Sequence, residues 1–458
     1  MISGYHRLSV FARHTLAFAT IVAACVTAMP AYGQGFGFFG NRNGVVGGVS
    51  VDAQGMLQSA SAVETSGQLK ALRKDVGAPS DAMRAGTTLR MVSLGKLQAE
   101  IAAAQSEGRR LSEDVLYLAG LQRIEYVFVY PKQNDIVIAG PAEGWVVRDD
   151  ATVVGETTGR PVIQLEDLLV AFRNTEATRQ APMSVSIDPT PEGEVRLRRL
   201  LSTMGGRGFN PAQAEPAMKK ALGAQLVSFN SVPTDSRMAS TLVAADYQMK
   251  RLAMGIDASP VKGMPSYLSM IKNSGASKTQ PRWWMACDYD AILHSEDMLA
   301  WKLTGLGIKA MTEEQFVDAS GVRSQSGRSS KAAQAWADNF TSKFEELCKT
   351  NSAFGDLRNV MDLNIIATVI TAHDLESVAG CNLSLIRGEA VETPAYATPK
   401  TIAPHCSFVR GAAGWTVSAS GGIEINPWKL VSTESKMDKS IGSVRSSARQ
   451  ASAKWWWN

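Results

Sequence analysis

The chain has 458 residues, of which 45% are hydrophobic and 20% are charged, and about 150 residues per domain allows two or three domains. Its 47 basic and 43 acidic residues give a net charge of +4, which is too even for a nucleic-acid-binding protein with a concentrated basic face. Ten tryptophans, 14 phenylalanines and nine tyrosines supply large side chains for a core and exclude a chain that is disordered throughout.

Residues 1–33 have the pattern of a secretory signal peptide. Basic side chains such as Arg7 and Arg13 precede an uncharged apolar run from Leu16 to Met29. This run is shorter than the roughly 20 residues of a spanning helix, so we expect no transmembrane segment in the mature chain. Cleavage after Gly33 is predicted. We therefore expect the protein to be exported to the periplasm, the cell surface or the medium. Its expected partner is an unknown molecule of the envelope or the extracellular space.

A second signal lies inside the same segment. Val22, Ala23, Ala24 and Cys25 resemble the bacterial lipobox, in which the cysteine becomes the lipidated first residue. The sequence leaves open whether the chain is cleaved after Gly33 or anchored to lipid through Cys25.

Residues 34–60 are interpreted as a glycine-rich linker. The run from Gly35 to Gly40 satisfies the G-x-G-x-x-G spacing of dinucleotide sites. It lacks the strand before it and the helix after it that such a site needs, so no nucleotide cofactor is predicted.

Residues 61–258 are expected to form an N-terminal α+β region. Its predicted elements in chain order are a mainly helical stretch at 66–107, a helix at 112–121, a hairpin at 124–138, a hairpin at 145–154 and a helix at 165–173. A strand, two helices, a strand and a helix follow between residues 183 and 256. The last helix carries a continuous apolar stripe, with Asp235 as its cap and an Asp246–Lys250 pair one turn apart.

Residues 259–430 are expected to form a C-terminal α+β domain. Its predicted elements are strands at 282–294, 298–304 and 307–311, helices at 330–349 and 353–372, and a hairpin at 415–430. The predicted fold is therefore α+β, with antiparallel meanders and hairpins flanked by helices, in two lobes after the signal peptide and linker. The serine- and lysine-rich tail at 431–458 is expected to be disordered. The sequence leaves open whether Trp455–Trp457 fray or dock onto the body or a partner.

Export would place the remaining cysteines in an oxidising compartment. Cys381 and Cys406 are the preferred disulfide, because closing a loop of about 25 residues stabilises the fold by roughly 3 kcal/mol in the chain-entropy model. The alternative is that Cys287, Cys348, Cys381 and Cys406 are all free thiols. Zinc-type cysteine and histidine spacing is absent from the sequence.

The densest set of candidate ligands lies at residues 283–297. In an extended chain Asp288, Asp290, His294 and Glu296 project to one face, and carboxylates with an imidazole suit a divalent cation. Residues two apart on a straight strand lie about 6.6 Å apart, so one ion needs a bend or another ligand. An amphipathic strand with one solvated face gives the same alternation without a site.

A hydrolase interpretation uses the same segment. Asp288 with Asp290, or Asp288 with Glu296, would be the acid and base beside a sugar platform of Trp283 and Trp284. No common serine-hydrolase, zinc-protease or nucleotide motif occurs. His373 is interpreted as a helix-terminus residue. His405 lies beside Cys406, and the two could form a nucleophile pair only if Cys406 were a free thiol.

Five segments carry a family resemblance. Leu118–Pro131, Ala139–Trp145 and Gly159–Val162 resemble an uncharacterised family of exported planctomycete proteins, the domain of unknown function 1598, as do Asp246–Arg251 and Asn359–Leu363. The resemblance covers most of residues 45–430 and implies no catalytic assignment.

Taken together, the sequence predicts an exported envelope protein that acts as a non-catalytic binding or structural module. The alternative is a hydrolase or a cation-dependent glycan-binding protein that uses residues 283–297.

Overall fold

The computed structural model describes residues 39, 45–52, 54–60, 62–203, 211–271, 280–318, 320, 322–404, 409–411, 414–416, 420–448 and 457. The strands are β1 (Val49–Val51), β2 (Met56–Ser59), β3 (Thr87–Ser93), β4 (Tyr126–Tyr130), β5 (Asp135–Ala142), β6 (Trp145–Val147), β7 (Val153–Gly155), β8 (Met183–Pro189), β9 (Gln225–Asn230), β10 (Gln280–Asp288), β11 (Ala291–His294), β12 (Ala300–Thr304), β13 (Gly307–Val317), β14 (Arg323–Gln325), β15 (Thr401–Ile402), β16 (Val409–Gly411), β17 (Gly414–Thr416), β18 (Ser420–Ile425) and β19 (Ser435–Met437).

The helices of the described residues lie between and beside these strands. They are α1 (Ala62–Asp75), α2 (Asp81–Arg84), α3 (Leu94–Glu107), α4 (Glu113–Leu116), α5 (Leu165–Arg173), α6 (Thr175–Gln180), α7 (Pro191–Thr203), α8 (Pro211–Leu222), α9 (Arg237–Ala253), α10 (Tyr267–Ile271), α11 (Lys331–Ser342), α12 (Phe344–Thr350), α13 (Ser352–Ala372), α14 (Leu375–Ala379), α15 (Ser384–Arg387), α16 (Pro427–Glu434) and α17 (Ser440–Ser447). The fold is α+β, as predicted. No helix of the described residues is both long enough and apolar enough to span a membrane.

Two mixed sheets organise the described strands. The large sheet has the order β1-β2-β15-β9-β8-β18-β10-β13-β14, and the small sheet has the order β19-β11-β12-β4-β5-β3. Both sheets combine strands from before and after residue 258, since β8 pairs with β18 and β4 pairs with β12. Most pairs are antiparallel, and β18 runs parallel to β10.

The helix α13 lies at the centre of the molecule. Every residue from Ser352 to Ile370 is buried, and the helix packs against α5, α9, α12 and α16. A helix buried on all sides must pair its polar side chains inside the protein, because unpaired buried charges are costly. The polar residues on α13 therefore decide where its charged partners lie.

Several predicted elements are confirmed. The hairpin of β4 and β5 pairs Tyr126 with Ala139 and Tyr130 with Asp135. Between its strands Asn134 has a φ of 50°, a left-handed conformation that asparagine tolerates in turns. The helix α5 has the predicted bounds. The predicted strand-helix-helix-strand-helix order between 183 and 256 is also present.

The predicted Asp246–Lys250 pair is present, but it is buried. Lys250 Nζ lies 2.9 Å from Asp246 Oδ2 and donates a second hydrogen bond to the Ile187 carbonyl. Burial raises the pKa of Asp246 to about 6. A side chain at Gly421 would place its Cβ 3.0 Å from Lys250 Cε, so glycine there leaves room for the pair.

The helix α9 begins one residue later than predicted. Ser236, and not Asp235, caps it, since the Ser236 Oγ accepts a hydrogen bond from the Ala239 N–H. The stretch predicted as mainly helical at 66–107 also contains the strand β3. This strand pairs with β5, and such a distant partner overrides local helical spacing.

The predicted hairpin at 415–430 is wrong. The strand β17 pairs with β16, whereas β18 lies between β8 and β10 and leads into α16. Gly421 permits this insertion, because a Cβ there would lie 2.2 Å from the Trp283 carbonyl oxygen. A sequence pattern shows that two strands are near in the chain, but not that they belong to different sheets.

The expectation of a disordered tail at 431–458 is wrong for residues 431–448. The strand β19 pairs with β11, and Ile441 of α17 is 3% exposed beside Phe128. Burial of these apolar groups holds a segment whose composition is otherwise polar. Trp457 forms a β-bridge with Val92, and the Arg90 guanidinium lies 5.0 Å from its ring centre. Trp455 and Trp456 lie outside the described residues.

Candidate ligand-binding cleft

A cleft lies where the first turns of α5 and α9 meet α13. About 430 Å³ of space lies between its walls, and most of this is open to solvent at the mouth. Its lining residues are Val45, Val46, Gly47, Leu72, Ala151, Thr152, Val153, Gln164, Glu166, Arg237, Asp356 and Tyr396. The apolar members come from residues 45–47, which we call the N-terminal wall, from α1 and from the β6–β7 hairpin. The charged members come from the three helices. The cleft therefore has one apolar side and one polar side.

Helix starts place the charged side chains. Glu166 and Asp167 lie in the first turn of α5, where the helix dipole favours negative charge. Arg237 is the first residue of α9, directly after the cap Ser236. Asp356 lies near the start of α13, which Asn351 caps by accepting a hydrogen bond from the Ala353 N–H. Rigid helices thus fix all four side chains.

Arg237 is held between two aspartates. Its Nη2 lies 2.8 Å from Asp356 Oδ2, and its Nη1 donates to Asp167 Oδ2. The three side chains are 10%, 2% and 3% exposed, respectively. Burial alone lowers the pKa of Arg237, but Asp356 and Asp167 hold it well above the usual value. Burial also raises the pKa of Asp356, against the effect of Arg237.

Glu166 is oriented by a tyrosine from a distant loop. The Tyr396 hydroxyl lies 3.0 Å and 3.1 Å from the two carboxylate oxygens of Glu166. The Tyr396 N–H donates to the Asp235 carbonyl at 2.7 Å, which ties its backbone to the start of α9. The Glu166 carboxylate is thus held by its own helix, α5, and by Tyr396, which is tied to the start of α9.

The N-terminal wall of the cleft requires glycine. Gly47 has a φ of +58°, and a Cβ there would lie 2.8 Å from the Ala353 Cβ and 2.9 Å from the Ala244 Cβ. Only glycine fits this conformation and this distance. The wall is therefore in close contact with α9 and α13.

The predicted metal ligands lie elsewhere. The strand predicted at 282–294 is divided into β10 and β11, and both Asp288 and Asp290 are exposed near the break. Within the part of the chain that the structure describes, no group of three or more histidine, cysteine, aspartate or glutamate side chains is placed to hold a metal ion.

The other predicted ligands have structural contacts. The His294 ring lies 5.1 Å from the Trp301 ring and its Nδ1 lies 3.0 Å from the Ser295 carbonyl. Glu296 is exposed and lies 3.9 Å from Lys439 Nζ. His373 ends α13, as interpreted from the sequence, and stacks on Trp301 at 4.3 Å. Burial, followed by the neighbouring His294, lowers the pKa of His373.

The predicted sugar platform of Trp283 and Trp284 is wrong. Consecutive strand residues point to opposite faces. Trp283 is 1% exposed and packs against Tyr267 and Trp336 at 4.7 Å and 5.3 Å. Trp284 lies on the other face, where the Arg282 guanidinium lies 5.1 Å from its ring centre. The two rings therefore cannot stack on one ligand.

The described cysteines are free thiols. They are Cys287, Cys348 and Cys381, and the predicted disulfide to Cys381 is not formed in the described residues. Cys381 lies at the end of α14, where its N–H bonds the Glu376 carbonyl and burial raises its pKa to about 11. Its partner in the prediction, Cys406, and also His405 and Cys25, lie outside the described residues.

Sequence reasoning did not identify the cleft residues Glu166, Arg237, Asp356 and Tyr396. The available signal was charge inside a mainly apolar helix: Asp356, Arg358 and Asp362 lie among the apolar residues of the segment 352–372. Such residues are almost always paired when they are buried, so they indicate an internal partner. The sequence does not show which partner.

Comparison with known proteins gives one match. A family model described as "Protein of unknown function (DUF1598)" matches residues 185–267. This range runs from β8 to the start of α10 and contributes Arg237 to the cleft. No curated protein and no solved structure matches the chain.

Proposed function

We propose that the protein is a non-catalytic binding protein of the cell envelope, whose cleft takes a small polar ligand rich in hydrogen-bond donors. The observation that carries the proposal is the cleft itself, with an apolar side and a polar side built on helix starts. Small-molecule sites are concave, mainly apolar and equipped with a few placed polar groups.

The fixed partners of the charged side chains favour binding. Arg237 is shared by Asp167 and Asp356, and Tyr396 holds Glu166, so little reorganisation accompanies ligand entry. Pre-organised groups raise affinity because less conformational freedom is lost on binding. The lining carries two carboxylates and one guanidinium, which suits a ligand that donates hydrogen bonds.

The binding proposal is tested by calorimetry with ethanolamine, spermidine, arginine, glucose and N-acetylglucosamine. We expect at least one probe to bind. Glu166→Gln should weaken it about tenfold, since a hydrogen bond to a charged group contributes roughly 1.5–3 kcal/mol. Glu192→Gln, at an exposed position on α7, is the matched control and should leave affinity unchanged. Equal affinity in both variants would place the ligand outside the cleft, and no binding by any probe would contradict the proposal.

Export rests on the pattern of residues 1–33. Cell fractionation with mass spectrometry of the N-terminus should find a chain that begins at Gln34, or one lipidated at Cys25, in the envelope or the medium. A Cys25→Ser variant separates these two results. An intact Met1 on cytosolic protein would contradict export and leave the cleft proposal standing.

A further inference from the structure

A second group of buried charges surrounds the middle of α13. It comprises Arg123, Arg160, Arg358, Glu345 and Asp362, and we call it the arginine cluster. The side chain of Arg358 is 2% exposed, that of Arg123 is 14% exposed and that of Arg160 is 24% exposed. The cluster therefore has a buried centre and a partly exposed side.

The two carboxylates of the cluster already accept several hydrogen bonds. Glu345 Oε2 lies 2.5 Å from Arg358 Nη1, and Glu345 Oε1 accepts from Arg160 Nη2. Asp362 Oδ2 accepts from Arg123 Nε at 3.2 Å and from the Ile124 N–H at 3.2 Å. Asp362 Oδ1 accepts from the Tyr289 hydroxyl at 2.6 Å. Every carboxylate oxygen is engaged.

Three arginine donors remain unpaired. Arg123 Nη2, Arg160 Nε and Arg358 Nε are buried atoms without a hydrogen-bond partner among the described residues. A buried donor left without an acceptor costs roughly 1–3 kcal/mol, and more when it is charged. Unpaired groups of this kind in a folded protein indicate a bound water or ion.

The formal charges favour an ion. Among the ion-paired groups, three guanidiniums face two carboxylates, which leaves one positive charge in excess. The half-buried Glu125 also acts on Arg123, but it makes no ion-pair contact with the cluster. Burial raises the pKa of Cys348, beside Arg358, to about 11, so its thiol is neutral. Burial, followed by Asp362, raises the pKa of Tyr289 well above its usual value. Neither group supplies the missing negative charge.

The arginines are also close enough to affect one another. Burial lowers the pKa of Arg358 and so does repulsion from Arg123, while the carboxylates Glu345 and Asp362 act in the opposite direction. Glu345 joins Arg160 to Arg358 through its two oxygens. A small anion among the three side chains would relieve this repulsion and accept hydrogen bonds from them.

We propose that the arginine cluster binds one small monovalent anion of the halide class, held by Arg123 Nη2, Arg160 Nε and Arg358 Nε. The ion supports the packing of α12 and of the Pro161 loop on α13, since Arg160 precedes Pro161 and Glu345 lies in the first turn of α12. The partly exposed side chains of Arg123 and Arg160 give the ion a route of exchange. This site is independent of the cleft.

Bromide diffraction on the wild-type protein is the direct test, because bromide replaces chloride and scatters anomalously. An anomalous peak within hydrogen-bond distance of the three donor atoms is expected. Ordered water at this position without a bromide peak would overturn the proposal. Water is a concrete rival, because Asn359 Oδ1 is a buried acceptor without a partner among the described residues and needs a donor.

Stability against chloride concentration is the second test, with sodium gluconate keeping ionic strength constant. Ligand binding to the folded state raises the unfolding midpoint in proportion to the logarithm of concentration above Kd. We expect this rise in the wild type and a half-saturating chloride concentration at least tenfold higher in Arg160→Gln. Arg110→Gln, at a side chain that is 42% exposed, is the control and should behave as the wild type. The same chloride response in Arg160→Gln and in the wild type would contradict the site.

Discussion

The start and the middle of α13 carry opposite charge excesses. Asp356 joins Asp167 around one arginine in the wall of the cleft, whereas Arg358 joins two further arginines around two carboxylates. Residues two apart on a helix do not face each other, so Asp356 and Arg358 point to different neighbours. A fully buried helix can thus hold two separate charge groups. In each group, the loss of stability should depend on which member is replaced.

The largest expected effect is the loss of Arg237, the cation of the acidic group that it forms with Asp167 and Asp356. Arg237→Met leaves Asp167 and Asp356 buried without it, and breaking a buried pair costs roughly 3–5 kcal/mol of unfolding free energy. Urea denaturation at pH 7 measures this. Asp356→Asn should cost less, because Arg237 keeps Asp167 as its partner. A larger loss in Asp356→Asn than in Arg237→Met would contradict the charge count.

In the arginine cluster the loss of a carboxylate should cost more stability than the loss of an arginine. Glu345→Gln removes the anion between Arg160 and Arg358 and should cost about 2 kcal/mol, as expected for hydrogen bonds to charged groups. In chloride-free buffer, Arg160→Gln should cost about 1 kcal/mol or less, since its side chain is 24% exposed and its loss relieves the excess positive charge. The same denaturation experiment decides. Equal losses in the two variants would mean that the excess charge is already neutralised.

The two groups should also respond to pH in opposite directions. Burial raises the pKa of Asp356 above 3.8, so the folded state binds more protons and stability from this group falls as pH rises through its folded pKa. Burial alone would raise the pKa of Glu345, but Arg358 and Arg160 hold it below 4.5. Stability from Glu345 is therefore present above 4.5 and is lost as pH falls through its folded pKa.

Unfolding free energies at acidic pH test this difference. Relative to the wild type, Asp356→Asn should gain stability as pH rises above about 4. Glu345→Gln should lose stability as pH rises towards 4.5 and should stay level above it. Parallel curves for the two variants would refute opposite pKa shifts. Glu192→Gln at the protein surface is again the control.

The smallest expected effect concerns the helix caps that position the acidic group. Ser236→Ala removes the acceptor for the Ala239 N–H and should cost about 1 kcal/mol, well below Arg237→Met. Ser236→Thr retains a hydroxyl and should recover most of this loss. If Ser236→Ala were as damaging as Arg237→Met, the cap and not the ion pair would hold the cleft together.

Local patterns predicted several elements well because their signals are short-range. The hairpin of β4 and β5 follows from alternation around a turn, and α9 follows from its apolar stripe. The strand β3 and the ordered tail could not be predicted in this way. Both depend on partners far along the chain, namely β5 and β11.

The candidate sites show the same limit. Alternation at 283–297 predicted solvated carboxylates on one face, and Asp288 and Asp290 are exposed, but the described chain gathers no metal-binding group there. The cleft draws Glu166, Arg237, Asp356 and Tyr396 from segments separated by 40 or more residues. No spacing rule connects positions so far apart.

By itself the sequence determined the α+β class, most helix and strand positions and the presence of charges within apolar helices, since these depend on neighbouring residues. The tertiary structure alone decided which charges meet. Burial makes each ionised side chain dependent on a nearby partner, and only the packing of α5, α9 and α12 around α13 brings those partners within hydrogen-bond distance.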